Sequence, residues 1–194
     1  MMETIEIITL PQDNILIIDL EATCSSDESI TGSRMEIIEI GACWISPGGG
    51  LGSPNILGTF QSFVRPVVNR QLTSFCTELT GITQDQVDGA QPFSQVAPLL
   101  QDFALKYAGP ASIWASWGAY DRVQFGHDSE RHGVENPIAH LCHANLKKIF
   151  AKHRKIRRVG MMGALKVTGL GHSGSHHRAL DDAINIARIM STMR

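Results

Sequence analysis

Apolar residues along this chain fall into short blocks near the N-terminal side and longer one-faced stripes beyond them. Asn14–Asp19 is an apolar run closed by an acid, which predicts a buried strand. Met35–Ile45 alternates in part, with Ile38, Ile40, Ala42 and Trp44 sharing one parity, and predicts a second strand. Thr59–Val64 predicts a third, stopped by Pro66. Between the second and third, Pro47–Pro54 carries Gly48, Gly49, Gly50 and Gly52 and predicts a flexible hairpin loop. A phosphate cradle is the sharper alternative for those glycines, but the Gly-Lys-Ser/Thr ending that a P-loop needs is missing. Three strands with short links imply an antiparallel meander.

Helical spacing takes over afterwards. Gln71–Leu79 sets Leu72, Phe75, Cys76 and Leu79 on one stripe, with Gly81 as the stop. A longer helix follows Pro92, with Phe93, Val96, Leu99, Leu100 and Phe103 inward, and Gly109-Pro110 breaks it. Ser112–Trp117 predicts a strand, Tyr120–His132 a helix ended by Gly133, and Ile138–Cys142 a last strand. Ala144–Lys155, Gly160–Val167 and Leu180–Met193 predict three further helices. The pattern shows no internal repeat and no linker. It reads as one α/β domain over residues 1–194 with its strands clustered early.

Composition narrows the function class. Net charge is −2, so coating of nucleic acid by bulk positive charge is excluded. The charge is unevenly placed. Residues 1–135 hold 17 acids against 6 Lys/Arg, whereas residues 136–180 hold no acid and 9 Lys/Arg. Such a division suits carboxylates that hold cations beside a basic rim that meets an anion, or else unbiased scatter with one solvated basic face. Cys24, Cys43, Cys76 and Cys142 are far apart and contain no CxxC pair, which argues against a zinc site. Cys43 and Cys76 lie in apolar patterns and read as core residues; a reducing cytoplasm fits. Met1–Pro11 carries Glu3 and Glu6 where a secretory leader would be basic, and no apolar run approaches membrane length.

The acids hold the candidate chemistry. Asp19 and Glu21 end the first strand two residues apart, so they share a face and repel unless a metal or protons intervene. As a lone pair they could equally be strand-end surface acids. Asp121 lies just past the middle strand, where an Asp often caps a helix. The segment His176-His177-Arg178-Ala179-Leu180-Asp181-Asp182 is more telling. At about 100° per residue, Asp181, Asn185 and Arg188 fall opposite the apolar stripe and read as solvated, while Asp182 falls at the margin of the buried face between Ile186 and Ile189. An acid there needs a partner, and a metal-bound carboxylate with His177 nearby meets that need. His127, His132, His140, His143, His153 and His172 show no metal-like spacing with a carboxylate and read as structural or surface residues.

Together these motifs resemble the DEDDh 3′→5′ exonucleases. The likeness is greatest to the branch of histone-mRNA 3′-exonucleases and siRNA-degrading exonucleases, with its bacterial KapD-like relatives. It rests on Ile18–Cys24, Glu36–Gly41, Val64-Arg65-Pro66, Leu79–Val87, Ser116-Trp117-Gly118 with Asp121, and Leu180-Asp181-Asp182 with Asn185-Ile186-Ala187. It runs from about Asn14 onward.

The resemblance implies an RNase H-like fold, a mixed five-stranded sheet flanked by helices. It implies Asp19, Glu21, Asp121 and Asp182 as ligands of two Mg²⁺ ions, with Mn²⁺ able to substitute, and His177 as general base. His176 and Asp181 have the same spacing as His177 and Asp182, and the angular argument selects the latter pair. Phe75 and Trp117 would wall a pocket for the terminal base, with Ala22, Leu79 and Thr80 beside them, although Phe75 also fits plain core. The expected partner is the 3′ end of a single-stranded nucleic acid, RNA by resemblance, with a DNA-directed enzyme and an inactive binding module as the alternatives. Lys147, Lys148, Lys152, Arg154, Lys155, Arg157 and Arg158 form a basic run that either contacts upstream phosphates or is a solvated face. About a dozen residues precede the first strand, so the extra nucleic-acid-binding domain of some relatives is expected to be absent.

Overall fold

The computed structural model describes residues 13–193. The N-terminal stretch read above as lacking a leader lies outside them. The strands are β1 (Ile15–Ala22), β2 (Ile37–Gly50), β3 (Ser53–Arg65), β4 (Gln91–Pro92), β5 (Ile113–Ser116) and β6 (Cys142–Asn145). The helices are α1 (Ser74–Thr80), α2 (Gln84–Asp88), α3 (Phe93–Lys106), α4 (Tyr120–His132), α5 (Leu146–Arg154), α6 (Met161–Thr168) and α7 (Ala179–Ser191). They build one sheet of order β4-β3-β2-β1-β5-β6. The β1–β2 and β2–β3 pairs are antiparallel, as the meander requires. The β1–β5, β5–β6 and β3–β4 pairs are parallel. The expected five strands become six because the two residues Gln91-Pro92 add a short edge against Val64-Arg65, too short for any periodicity to register.

Strand parity organises everything else. Ile15 and Ile17 of β1 pack with Phe150, Leu165, Ala183, Ile186 and Met190 of α5, α6 and α7. Leu16, Ile18 and Leu20 point the other way, into a second core with Phe93, Val96 and Leu100 of α3 and Phe125 of α4. Because side chains alternate, Asp19 and Glu21 continue the Ile15–Ile17 face and point toward α7. In β2, Cys43 and Ile45 lie on that same side, so Gly41 and Glu39 do too. The register pairs Asp19 with Gly41 and Glu21 with Glu39.

Gly41 admits α7. A Cβ at Gly41 would overlap the backbone of Ala179 and Leu180, so the first turn of the helix lies directly on the strand. Glu39 then fixes that turn. Its buried carboxylate accepts from Arg178 Nε at 3.1 Å and NH2 at 3.0 Å, from the Ala179 N–H at 3.2 Å and from Gln61 Nε2 at 2.6 Å. A strand side chain thereby serves as the N-terminal cap that Arg178 does not provide.

Several boundaries depart from expectation. The glycine-rich segment is a tight hairpin, with both strands prolonged and Gly50 paired with Ser53; Gly52 turns at φ 69. Residues 136–141 form turns, and β6 begins only at Cys142. Asn145 ends that strand and caps α5 by accepting from the Lys148 N–H at 3.1 Å. In α3 the inward set is Phe93, Val96, Ala97, Leu100 and Ala104, while Leu99 is exposed. Among the described residues no helix is long and apolar enough to cross a membrane.

Candidate active site

The acids converge where the C-terminal ends of β1 and β5 meet the start of α7. Asp19 and Glu21 come from β1 on the α7 side. Asp121 is the second residue of α4, not its cap. It is buried, and the Ser116 hydroxyl and the Leu20 backbone hydrogen-bond to its carboxylate. Asp182 is buried in the first turn of α7, at the margin predicted for it. His177 stands just before that helix with a left-handed backbone, φ 61. Its Nδ1 lies 3.8 Å from Glu21 Oε1, and its backbone N–H donates to Asp182 Oδ2 at 3.1 Å. Ligand atoms of Glu21, His177 and Asp182 all lie within 4.8 Å of one another.

The electrostatics describe a site that wants cations. Burial, then the charges of Asp121, Glu21, Asp182 and Glu39, hold the Asp19 carboxyl well above the usual carboxylate range. Burial and the neighbouring Asp182 and Glu39 push Glu21 up to about 8. Burial raises Asp121 to about 6, against the hydrogen bonds from Ser116 and Leu20. Glu39 is the one acid of this group already neutralised, by Arg178. A set of oxygen donors that repel one another at neutral pH fits hard divalent cations, and the residues present fit that role. Burial and the adjacent His176 lower the His177 imidazole below its ordinary value, which favours its neutral, proton-accepting form.

The residues proposed for a base pocket divide. Cys76 Sγ contacts the Ala22 carbonyl at 3.7 Å, which seats α1 against the end of β1. Leu72 and Cys76 are buried there, but Phe75 and Leu79 are 38% and 39% exposed, so only half of the predicted apolar stripe is core. Thr80 is buried, with its hydroxyl donating to the Cys76 carbonyl at 2.9 Å. Trp117 lies two residues past Ala115, the partner of Ile17, as Asp19 lies two past Ile17. Its ring rests on Phe150, and its Nε1 donates to the Val159 carbonyl at 3.1 Å. That bond fixes the basic segment beside the site. Arg154 turns away to hydrogen-bond Thr192, while Arg157 and Arg158 are exposed.

Two parts of the sequence reading need correction. Asp181, Asn185 and Arg188 are not a solvated face. Asn185 is fully buried and holds residue 173 through both backbone groups, Asp181 Oδ2 accepts from the Ser175 N–H at 2.8 Å, and Arg188 donates to the Gly171 carbonyl at 2.8 Å. His172, read as structural or surface, places Nε2 3.1 Å from Asp182 Oδ1. Ten residues separate the two, and no local period reveals a contact made by a returning loop. Glu39 also lacked an assigned role. The signal available was its parity with Gly41 and its place opposite Glu21.

Family comparison agrees with this geometry. The Exonuclease family, RNase_T, matches residues 16–190. The chain belongs to the exonuclease family. Among its relatives in that family, human 3'-5' exoribonuclease 1 is 34% identical over 187 residues, covering 93% of this chain and 52% of the human protein. The rat protein of the same name is 34% identical, covering 93% of this chain and 53% of its own. This exonuclease-family chain thus spans about half the length of the curated relatives it matches. A solved nuclease domain of 3'hExo, described as a DEDDh family member bound to rAMP, superposes with a TM-score of 0.83 at 34% identity, covering 94% of this chain and 92% of that one. A structure of a 3′-exonuclease that recognises the histone mRNA stem-loop gives 0.83 at 31% identity, covering 96% and 65%. The fold is therefore the RNase H-like fold of the DEDDh exonucleases, whose members use divalent metal.

Proposed function

We propose that this protein is a 3′→5′ exonuclease acting as a single domain on single-stranded RNA ends and releasing nucleoside 5′-monophosphates. The observation that carries the reading is the convergence of Asp19, Glu21, Asp121 and Asp182, from three distant parts of the chain, beside a histidine held in its neutral form. Two divalent cations held among those carboxylates, Mg²⁺ with Mn²⁺ as a substitute, would neutralise the phosphodiester and stabilise the leaving 3′ oxygen. His177 takes a proton from the attacking water. The water oxygen bonds to phosphorus, the bond from phosphorus to the 3′ oxygen breaks, and that oxygen takes a proton from solvent to become the new 3′ hydroxyl. The left-handed turn at His177 aims the ring toward Glu21, and Glu39 holds the turn through Arg178.

Phe75 and Leu79, exposed on α1, offer an apolar wall to the terminal base, with Trp117, Ala22 and Thr80 completing the pocket. Large exposed apolar side chains beside a charged cleft are the expected form of a stacking platform. Arg157 and Arg158, set beside the site by the Trp117–Val159 bond, are placed to meet upstream phosphates. RNA is preferred because relatives of this chain are named exoribonucleases and one solved neighbour carries rAMP. Four free cysteines suit the reducing cytoplasm where we place the protein.

The test is incubation with 5′-labelled single-stranded RNA and the matched DNA, with Mg²⁺ and with excess chelator. The expected result is a ladder shortening from the far end, faster on RNA and abolished by chelator. Full activity in chelator, or immediate release of labelled mononucleotide, overturns the reading.

A further inference from the structure

The covered face of α7 has a second consequence. Four hydrogen bonds run between residues 171–175 and Asp181, Asn185 and Arg188, so this loop is tied to the helix along its length. Tied in that way, it brings two imidazoles to opposite oxygens of one carboxylate. His172 Nε2 is 3.1 Å from Asp182 Oδ1, and His176 Nδ1 is 3.1 Å from Asp182 Oδ2. The two ring centroids are 5.5 Å apart. The His172 side chain is only 13% exposed, so it is a built part of the structure.

Hydrogen bonds hold this arrangement together, and a metal ion can replace the imidazole protons in it. The backbone N–H of His177 is shared between His176 Nδ1 at 2.9 Å and Asp182 Oδ2 at 3.1 Å. An Nδ1 that accepts this proton carries none of its own. In the other tautomer Nδ1–H donates to Asp182 Oδ2, and a cation that replaces this proton meets the same nitrogen and oxygen. The separation is also close to that of two ligand atoms on one tetrahedral zinc, about 3.3 Å for bonds of about 2.0–2.1 Å.

We propose that His172, His176 and Asp182 form a site for a divalent transition-metal ion of the zinc class, separate from the carboxylate set that includes Glu21 and Asp19. The ligand atoms of these three residues lie within 4.8 Å of one another. Two imidazoles with one carboxylate select zinc, cobalt or copper over magnesium, which prefers oxygen ligands and keeps its waters. An ion here engages both oxygens of Asp182. It withdraws that carboxylate from the group facing Glu21, so zinc and magnesium compete for one side chain and zinc acts as an inhibitor. The inhibition rests on the nuclease reading; the binding site does not.

Calorimetric titration of the metal-free full chain with Zn²⁺, with Co²⁺ absorption as a spectroscopic readout, tests the site. The expected result is one ion per chain, with affinity falling at least tenfold in His176→Ala and in His172→Ala. Because His172 is largely buried, His172→Asn is measured alongside, with thermal melts on every variant. Inhibition of Mg²⁺-driven turnover by Zn²⁺, read against each variant's own uninhibited rate, should be relieved in the histidine variants. Zinc affinity unchanged in folded His172 and His176 variants overturns the proposal. So does zinc binding lost in Glu21→Gln but retained without the histidines, because the ion would then sit in the catalytic group. If zinc binds through the histidines but no nucleic acid is cleaved, the site stands and the nuclease reading fails. The reverse result separates them the other way.

Discussion

Glu21 Oε1 and His177 Nδ1 approach to 3.8 Å, although one residue lies in the first strand and the other in the loop before the last helix. This contact assigns the doublets. His177→Ala should lower turnover by ~10²–10⁴-fold, the usual range for a lost general base, with metal binding largely kept. Asp182→Asn should nearly abolish turnover. His176→Ala and Asp181→Asn should be mild, since His176 is well exposed and the Asn oxygen can still accept from Ser175. Steady-state kinetics on the four variants, with melts to check folding, decides it. Loss of turnover in Asp181→Asn with Asp182→Asn tolerated would falsify the assignment.

Stability should depend on pH in an unusual direction when metal is removed. Glu21 titrates near about 8 in the folded protein against an ordinary 4.5, so the folded state binds the extra proton between those values. Its stabilising contribution is fully present below about 4.5 and is lost as pH rises through about 8. Melting temperature in chelator should therefore fall from pH 5 toward pH 8.5. Saturating Mg²⁺ should flatten the profile and release protons on binding, visible as buffer-dependent heat in calorimetry. Glu21→Gln should flatten it without metal. A level profile in chelator for the unaltered protein contradicts the electrostatics of the site.

Placement of α7 depends on two residues of β2. Gly41→Ala puts a methyl into the backbone of Ala179 and Leu180, which should cost about 1–3 kcal/mol and lower turnover further than stability alone explains. Glu39→Ala strands Arg178 and the Ala179 N–H and should cost about 3 kcal/mol. Denaturant unfolding gives the stabilities, and turnover under fully folded conditions gives the rest. A Gly41→Ala protein with unaltered stability and rate means that α7 does not rest where described.

Asp121 has a support that can be removed. The Ser116 hydroxyl hydrogen-bonds its carboxylate and lies 3.0 Å from His143 Nε2, and burial lowers the His143 imidazole to about 4. Its folded value lies below the ordinary 6.5, so protonation opposes folding, and this contribution to stability declines as pH falls from about 6.5 toward about 4. His143→Gln should remove that acid-side decline relative to the unaltered protein. Ser116→Ala should weaken metal affinity by roughly 10–100-fold, as loss of a supporting hydrogen bond does. Paired melts across pH 4–7 and calorimetric metal titrations check each claim.

Much of this was legible in the residues. The acid-closed run at Asn14–Asp19 located β1, and its parity set Asp19 and Glu21 on one side before any fold was known. The angular position of Asp182 pointed to the buried margin where it lies. What escaped has a common cause. The wheel for α7 assumed that a polar stripe faces water, but Asn185 and Asp181 satisfy the backbone of a loop that passes over them. The stripe at Leu72–Leu79 likewise could not tell which apolar residues face the core and which face an opening, so Phe75 and Leu79 looked like Leu72 and Cys76. Periodicity reports the faces of one element and is silent about what later folds onto them. His172 and Glu39 gain their roles only from such later contacts.

The Glu39–Ala179 bond joins residues 140 apart in the sequence. Closing so long a loop is entropically expensive and comes late, after the local hairpin β2–β3 and the isolated helices can form. The protein should therefore pass through a refolding stage with most of its sheet in place but no place for a cation. Tryptophan fluorescence, reporting Trp44 and Trp114 in the core, should recover before metal binding does. A nascent chain is in the same position. Until the ribosome has released the segment past Asp182, the four carboxylates of the site cannot come together.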